Sequence, residues 1–192
     1  GKFGIVSAES PNLSLRVDGI RSKFIESFPN SMWAEAGDVL DCREDPEVAL
    51  DKMIELVDSN PNVKGIISVG GWPLDVADRN RWIQFVEQNP DLLLVIAGGS
   101  ASRLALLNEG HMDYQISLKP KDMGRQAMDA LAGILTGIAE PAEIIHTGNE
   151  IHVNTNNAAV GSTKSDAAGM LQVTSLMTTS AAVFLTACAA LL

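Results

Sequence analysis

With 192 residues, 46% of them apolar and 20% charged, the chain has room for one domain with a substantial core. Its net charge of −10, with no cluster of Lys and Arg, excludes a phosphate-binding surface and therefore a nucleic-acid partner. Two cysteines, Cys42 and Cys188, are too few for a disulfide scaffold, and neither stands in the C-x-x-C pairing of a zinc or redox site. The chain opens Gly1–Lys2–Phe3 without a signal-peptide pattern, so Gly1 does not read as the start of the gene.

Short β-type runs alternate with longer amphipathic ones. Strands are predicted at Phe3–Ser7, Ala34–Asp41, Gly65–Val69, Leu92–Gly98 and Asp113–Leu118. Helices are predicted between and after them, at Leu13–Phe28, Pro46–Asp58, Asp75–Val86, Ser100–Asn108 and Lys121–Leu135. Pro46 stands in the first turn of its helix, and Val48, Leu50, Met53, Ile54 and Val57 follow at helical spacing. The runs "GIISV" and "LLLVIAG" are continuously apolar, which suits parallel strands covered on both faces. This alternation predicts an α/β fold, a doubly wound and mostly parallel sheet flanked by helices. In such sheets ligands bind where strand ends lead into helices. That rule selects the loops "AESPNLS", "CREDP", "GGWPLD", "GGSAS" and "KPKD".

The chemistry in those loops is sparse. No nucleophile elbow, Walker loop, dinucleotide fingerprint or metalloprotease motif is present, and no cofactor is implied. His111, His146 and His152 lack metal-ligand spacing. The carboxylates near the loops, Glu9, Glu44, Asp45, Asp75 and Asp122, have no matching nucleophile, so an enzyme is not expected. Arg16, one turn into the first helix, could present its fork to hydroxyls or a carboxylate; alternatively it pairs with Glu9 or Asp18 on the surface. Trp72 follows two glycines beyond a strand end. Its ring either faces the crevice, where a sugar face would stack, or plugs the top of the core.

Four stretches in order resemble the second half of the type I periplasmic binding proteins, the ribose-binding-like receptors of sugar ABC transporters. They are "GKFGIVSAES…NLSLRVDGIRSKFIESFPN", "DPEVALDKMIELVDSNPNVKGIISVGGWPL", "LLLVIAGGSASRLALLNEGHMDYQISLKPKDMGRQAMDALAGILTG" and "IIHTGNEIHVNTNN". The resemblance covers Gly1 to Asn157 and makes residues 1–157 a solute-binding lobe. It implies two lobes hinged over a sugar, an exported protein, periplasmic or extracellular, and a membrane permease or receptor that reads the closed form. It places the family's ligand arginine on Arg16, and puts Gly71 and Trp72 where most members carry an Asn-Asp pair. Asn12 and Glu9 lie at the same mouth and complete the expected ligand-binding set.

The departures from the family pattern carry a second reading. The usual aspartate falls near Gly99, and the polar residue before the last crossing falls at the apolar Leu118. A sugar hydroxyl left without a partner costs on the order of 1 kcal/mol or more. The family's first lobe has no counterpart in this sequence, and the helix within residues 120–137 would normally pack on it through Met123, Ala127 and Leu131. A surface interaction or sensor module with a vestigial pocket is therefore the alternative to sugar binding.

Residues 158–192 form a small, polar linker and an apolar tail, with no charge after Asp166. A small-residue site at Ser165–Asp166–Ala167, a spacer and "SAAVFLTACAALL" fit a glycosylphosphatidylinositol signal with Ser165 as the candidate attachment residue. A membrane helix from about Leu171, short and rich in Ser and Thr, and a tail without function are the competing readings. In an exported protein Asn12–Leu13–Ser14 would also be a glycosylation sequon.

Overall fold

The computed structural model describes residues 1–27, 34–98, 103–136 and 148–154. The expectations for Gly99, for the linker and tail, and for Ser165 fall outside these residues. Among the described residues no helix is long and apolar enough to cross a membrane.

In chain order the elements are β1 (Lys2–Ser7), α1 (Pro11–Ser27), β2 (Ala34–Glu35), β3 (Leu40–Asp41), α2 (Pro46–Ser59) and β4 (Val63–Ser68). A 3-10 turn at Trp72–Leu74 follows, then α3 (Arg79–Gln88), β5 (Leu93–Ala97), α4 (Leu104–Asn108), β6 (Tyr114–Leu118), α5 (Pro120–Leu135) and β7 (Asn149–Val153). One sheet runs in the order β2-β1-β4-β5-β6-β7, with β3 also paired to β1. Every pairing is parallel except β6 with β7. The α/β, mostly parallel architecture is the one the strand–helix alternation requires.

The core sits on both faces of β1, β4 and β5. Phe3 packs on Phe24 of α1, with ring centroids 4.3 Å apart, whereas a side chain on the neighbouring Gly4 would enter Leu56 of α2. Adjacent strand residues point to opposite faces, so α1 and α2 cover opposite sides of the sheet. Gly4 lets α2 approach closely, and Ala49, Leu50 and Met53 are wholly buried there. Asp45 caps α2 by accepting from the Val48 amide at 3.0 Å, and Pro46 follows at the position where a missing N–H costs nothing. Trp82 of α3 is fully buried and donates its indole N–H to the His111 carbonyl at 2.9 Å.

Some boundaries differ from the sequence expectation. The run Ala34–Asp41 is not one strand but two short ones, because Gly37 takes φ +137° between them and turns the chain out of the ladder. The expected helix Asp75–Val86 starts only at Arg79. Asp78, not Asp75, caps it by accepting from the Asn80 amide at 3.0 Å, and Asp75 instead closes the preceding turn with its N–H on the Trp72 carbonyl. Of the expected Ser100–Asn108 helix, residues 100–102 lie outside the described residues, and α4 runs Leu104–Asn108. At the other helices α1 opens two residues earlier than expected, at Pro11.

Candidate binding crevice

The chain leaves β1 toward β2 and β3 on one edge, then crosses to β4, β5 and β6 on the other. Strand order therefore reverses between β1 and β4, and in sheets of this kind such a reversal opens a crevice at the carboxyl ends of the two strands. On one side stands the start of α1, on the other the segment Val69–Trp72.

Arg16 spans that crevice. Its Nη1 donates to the Val69 carbonyl at 2.8 Å, across 53 residues of sequence. Among the described residues no carboxylate pairs with it, so neither Glu9 nor Asp18 plays the partner that a surface reading would give it. Partial burial lowers its pKa, yet a guanidinium keeps its proton under all ordinary conditions. One of five N–H donors is committed to Val69, and the remaining edge of the fork is free for another acceptor.

α1 has two working flanks. Asn12 lies one turn before Arg16 on the same flank, exposed, with its side-chain oxygen accepting from the Ser10 hydroxyl. Ser14, Val17, Asp18 and Arg21 look the other way, toward β3. There they line a cavity of about 320 Å³ with Ser7, Glu9 and Asp41. Arg21 reaches Glu35 on β2 through both carboxylate oxygens at 2.7 Å, and that contact, first among its causes, raises its pKa. Glu9 thus belongs to the β3 flank and is not gathered with Trp72 around one cavity.

Gly71 is buried, and Trp72 is half-buried with its indole laid over Gly70, packed against the core. A side chain on Gly70 would stand 2.6 Å from Cζ2 and Cζ3 of that ring. Sequence reasoning missed Arg103. It forks onto Asp75, with Nε 2.9 Å from Oδ1 and Nη2 on Oδ2, and its Nη1 donates to the Gly98 carbonyl. Leu118 ends β6 opposite Asn149, partly buried. Among the described residues no group of three His, Cys, Asp or Glu is placed to hold a metal ion.

The periplasmic binding protein domain model matches residues 1–139. The chain belongs to that family. The match takes in β1 through α5, and so every residue of the crevice. Similar solved structures include an arabinose-binding protein from Geobacillus stearothermophilus, 16% identical, with a TM-score of 0.65 over 83% of this chain and 56% of that one. An ABC transporter solute-binding protein from Actinobacillus succinogenes 130z with bound D-allose is 16% identical, with a TM-score of 0.64 over 83% and 54%. A solute-binding protein from Agrobacterium vitis with bound D-fucose is 18% identical, with a TM-score of 0.66 over 81% and 52%. At these identities the likeness is one of fold. The chain spans about half the length of these structures. No curated protein matches the sequence.

Proposed function

We propose that this chain is one lobe of a sugar-binding receptor, exported and read by a membrane permease or receptor when a second lobe closes over the ligand. The observation that carries the reading is the Arg16 bridge to Val69 at the strand-order reversal. It fixes a charged fork at the mouth of the crevice, with Trp72 in the same loop. Arg16 would donate to ligand hydroxyls and the Trp72 ring would stack on the sugar's apolar face. Gly71 adjoins Trp72 in that loop, and the Arg103 guanidinium lies where a side chain on it would stand. Asn12, on the flank of Arg16, is a further candidate contact. Glu9, on the β3 flank, reaches a ligand only if that ligand extends over α1.

The family, the sugars bound in structural relatives and the greater length of those relatives, of which this chain covers 52–56%, all support a two-lobe receptor. So does α5, whose Met123, Met128 and Leu131 are 42%, 61% and 48% exposed: a second lobe would cover this face. Attachment to a membrane through Ser165 or the apolar tail belongs to the same proposal and rests on sequence pattern alone.

Titration of the full chain with D-arabinose, D-allose and D-fucose, followed by tryptophan fluorescence, tests the reading. Saturable binding is expected, weakened at least roughly tenfold in Arg16→Ala, the loss of a charge-assisted hydrogen bond. Equal binding by Arg16→Ala and Trp72→Ala overturns the site. A second reading, in which the pocket is vestigial and the fold serves a protein partner, is favoured by Leu118, an apolar residue at a strand end where the family places a polar one. Absence of stereoselective binding of any of the three sugars would favour it.

A further inference from the structure

The pair Gly70–Gly71 has no backbone reason to be glycine. Gly71 sits at φ −85°, and Gly70 is not among the residues with positive φ. Both are glycine for space. At Gly70 a Cβ would enter the Trp72 indole; at Gly71 it would collide with Nη1 of Arg103 and stand 2.9 Å from the Gly98 carbonyl oxygen. The guanidinium of Arg103 is therefore wedged between the ends of β4 and β5, with its side chain only 19% exposed. Its fork grips Asp75, whose N–H closes the turn on the Trp72 carbonyl at 2.9 Å, and its third donor grips Gly98.

We infer that Arg103 is a positioning residue for the binding crevice. It ties the turn that carries Trp72 to the end of β5 and so sets how the indole lies over Gly70. The inference rests on the proposed reading of Trp72 as a ligand contact. A planar fork is needed for this job, because one group must meet a carboxylate with two parallel bonds and a carbonyl with a third. A lysine keeps the charge and cannot reproduce that geometry. Nor can an alanine at Gly71 coexist with the guanidinium where it stands.

The test uses the full chain labelled with 5-fluorotryptophan, with the Trp72 fluorine resonance identified by its loss in Trp72→Phe. In the free protein, Arg103→Lys and Gly71→Ala are expected to shift or broaden the Trp72 resonance and leave that of the remote, buried Trp82 in place. In D-arabinose titrations both variants are expected to bind about 3- to 10-fold more weakly, the scale of a misplaced aromatic contact. Arg103→Lys should not rescue what Arg103→Ala loses. An unmoved Trp72 resonance in Arg103→Lys and Gly71→Ala overturns the inference. So does wild-type affinity for D-arabinose in both variants, a result that leaves the sugar site itself standing. If wild type binds none of D-arabinose, D-allose and D-fucose while the Trp72 resonance still responds, the sugar site falls and the Arg103 clasp remains.

Discussion

Helices α2 and α5 are both amphipathic, and they end in opposite circumstances. α2 presents Ala49, Leu50, Met53 and Leu56 to the sheet, and the first three are wholly buried. α5 has no buried side chain among its described residues and leaves Met123, Met128 and Leu131 to solvent. Apolar periodicity thus states a helix's need for a partner without saying where that partner is. α2 satisfies the need within the chain because Gly4 admits Leu56 and a neighbouring loop, through Asp45, caps its start. α5 follows β6 in the chain, and its exposed apolar residues are what the two-lobe proposal would give a partner.

The comparison can be broken most decisively by truncation. Leu50→Ala is expected to cost about 2–5 kcal/mol in urea unfolding, the transfer loss plus the cavity left behind. Leu131→Ala or Met128→Ala should cost under about 0.5 kcal/mol, as for surface changes that remove no packing. Equal costs in the two helices would mean that α5 is docked in the free chain. A smaller effect sharpens the α2 side: Asp45→Ala should lose about 1 kcal/mol, since the Val48 amide loses its acceptor.

The gentlest probe is pH. Cys42, buried just before α2, has its thiol pKa pushed above the ordinary 9.0 chiefly by burial. The unfolded chain therefore releases this proton at lower pH than the folded one. The stabilising contribution is complete below about pH 9, as in the unfolded thiol, and declines as pH rises toward and through the raised folded value. Burial also raises the Tyr114 phenol, so the decline continues above pH 10. Urea midpoints measured from pH 8 to 10.5 should fall, with a shallower slope in Cys42→Ala. An unchanged slope in that variant would assign the loss to other groups.

Particular residues show what was legible. β1, β4, β5 and β6 lie within two residues of their expected bounds, because a continuous apolar run between polar turns has few other uses. The start of α3 was misplaced because Asp75 and Asp78 are equally good caps on paper. The choice went to Asp78 only when Asp75 was taken by Arg103 and by the turn at Trp72. Arg16 was legible as a site residue from its place at a strand end and from resemblance. Its actual partner, a carbonyl rather than an acid, was not. Arg103 gave no signal of its own, and the nearest hint was a pair of glycines in a segment without positive φ.

The sequence by itself determined the strand–helix alternation, the capped and amphipathic helices and the continuous apolar strands. These follow from backbone periods of two and 3.6 residues, which act over a few neighbours. Only the tertiary structure decided that strand order reverses between β1 and β4. That reversal brings Arg16 to Val69 and sets Arg103 between Gly71 and Gly98. Such contacts depend on which strand edges pair and how closely their ends approach, and no local period encodes that distance.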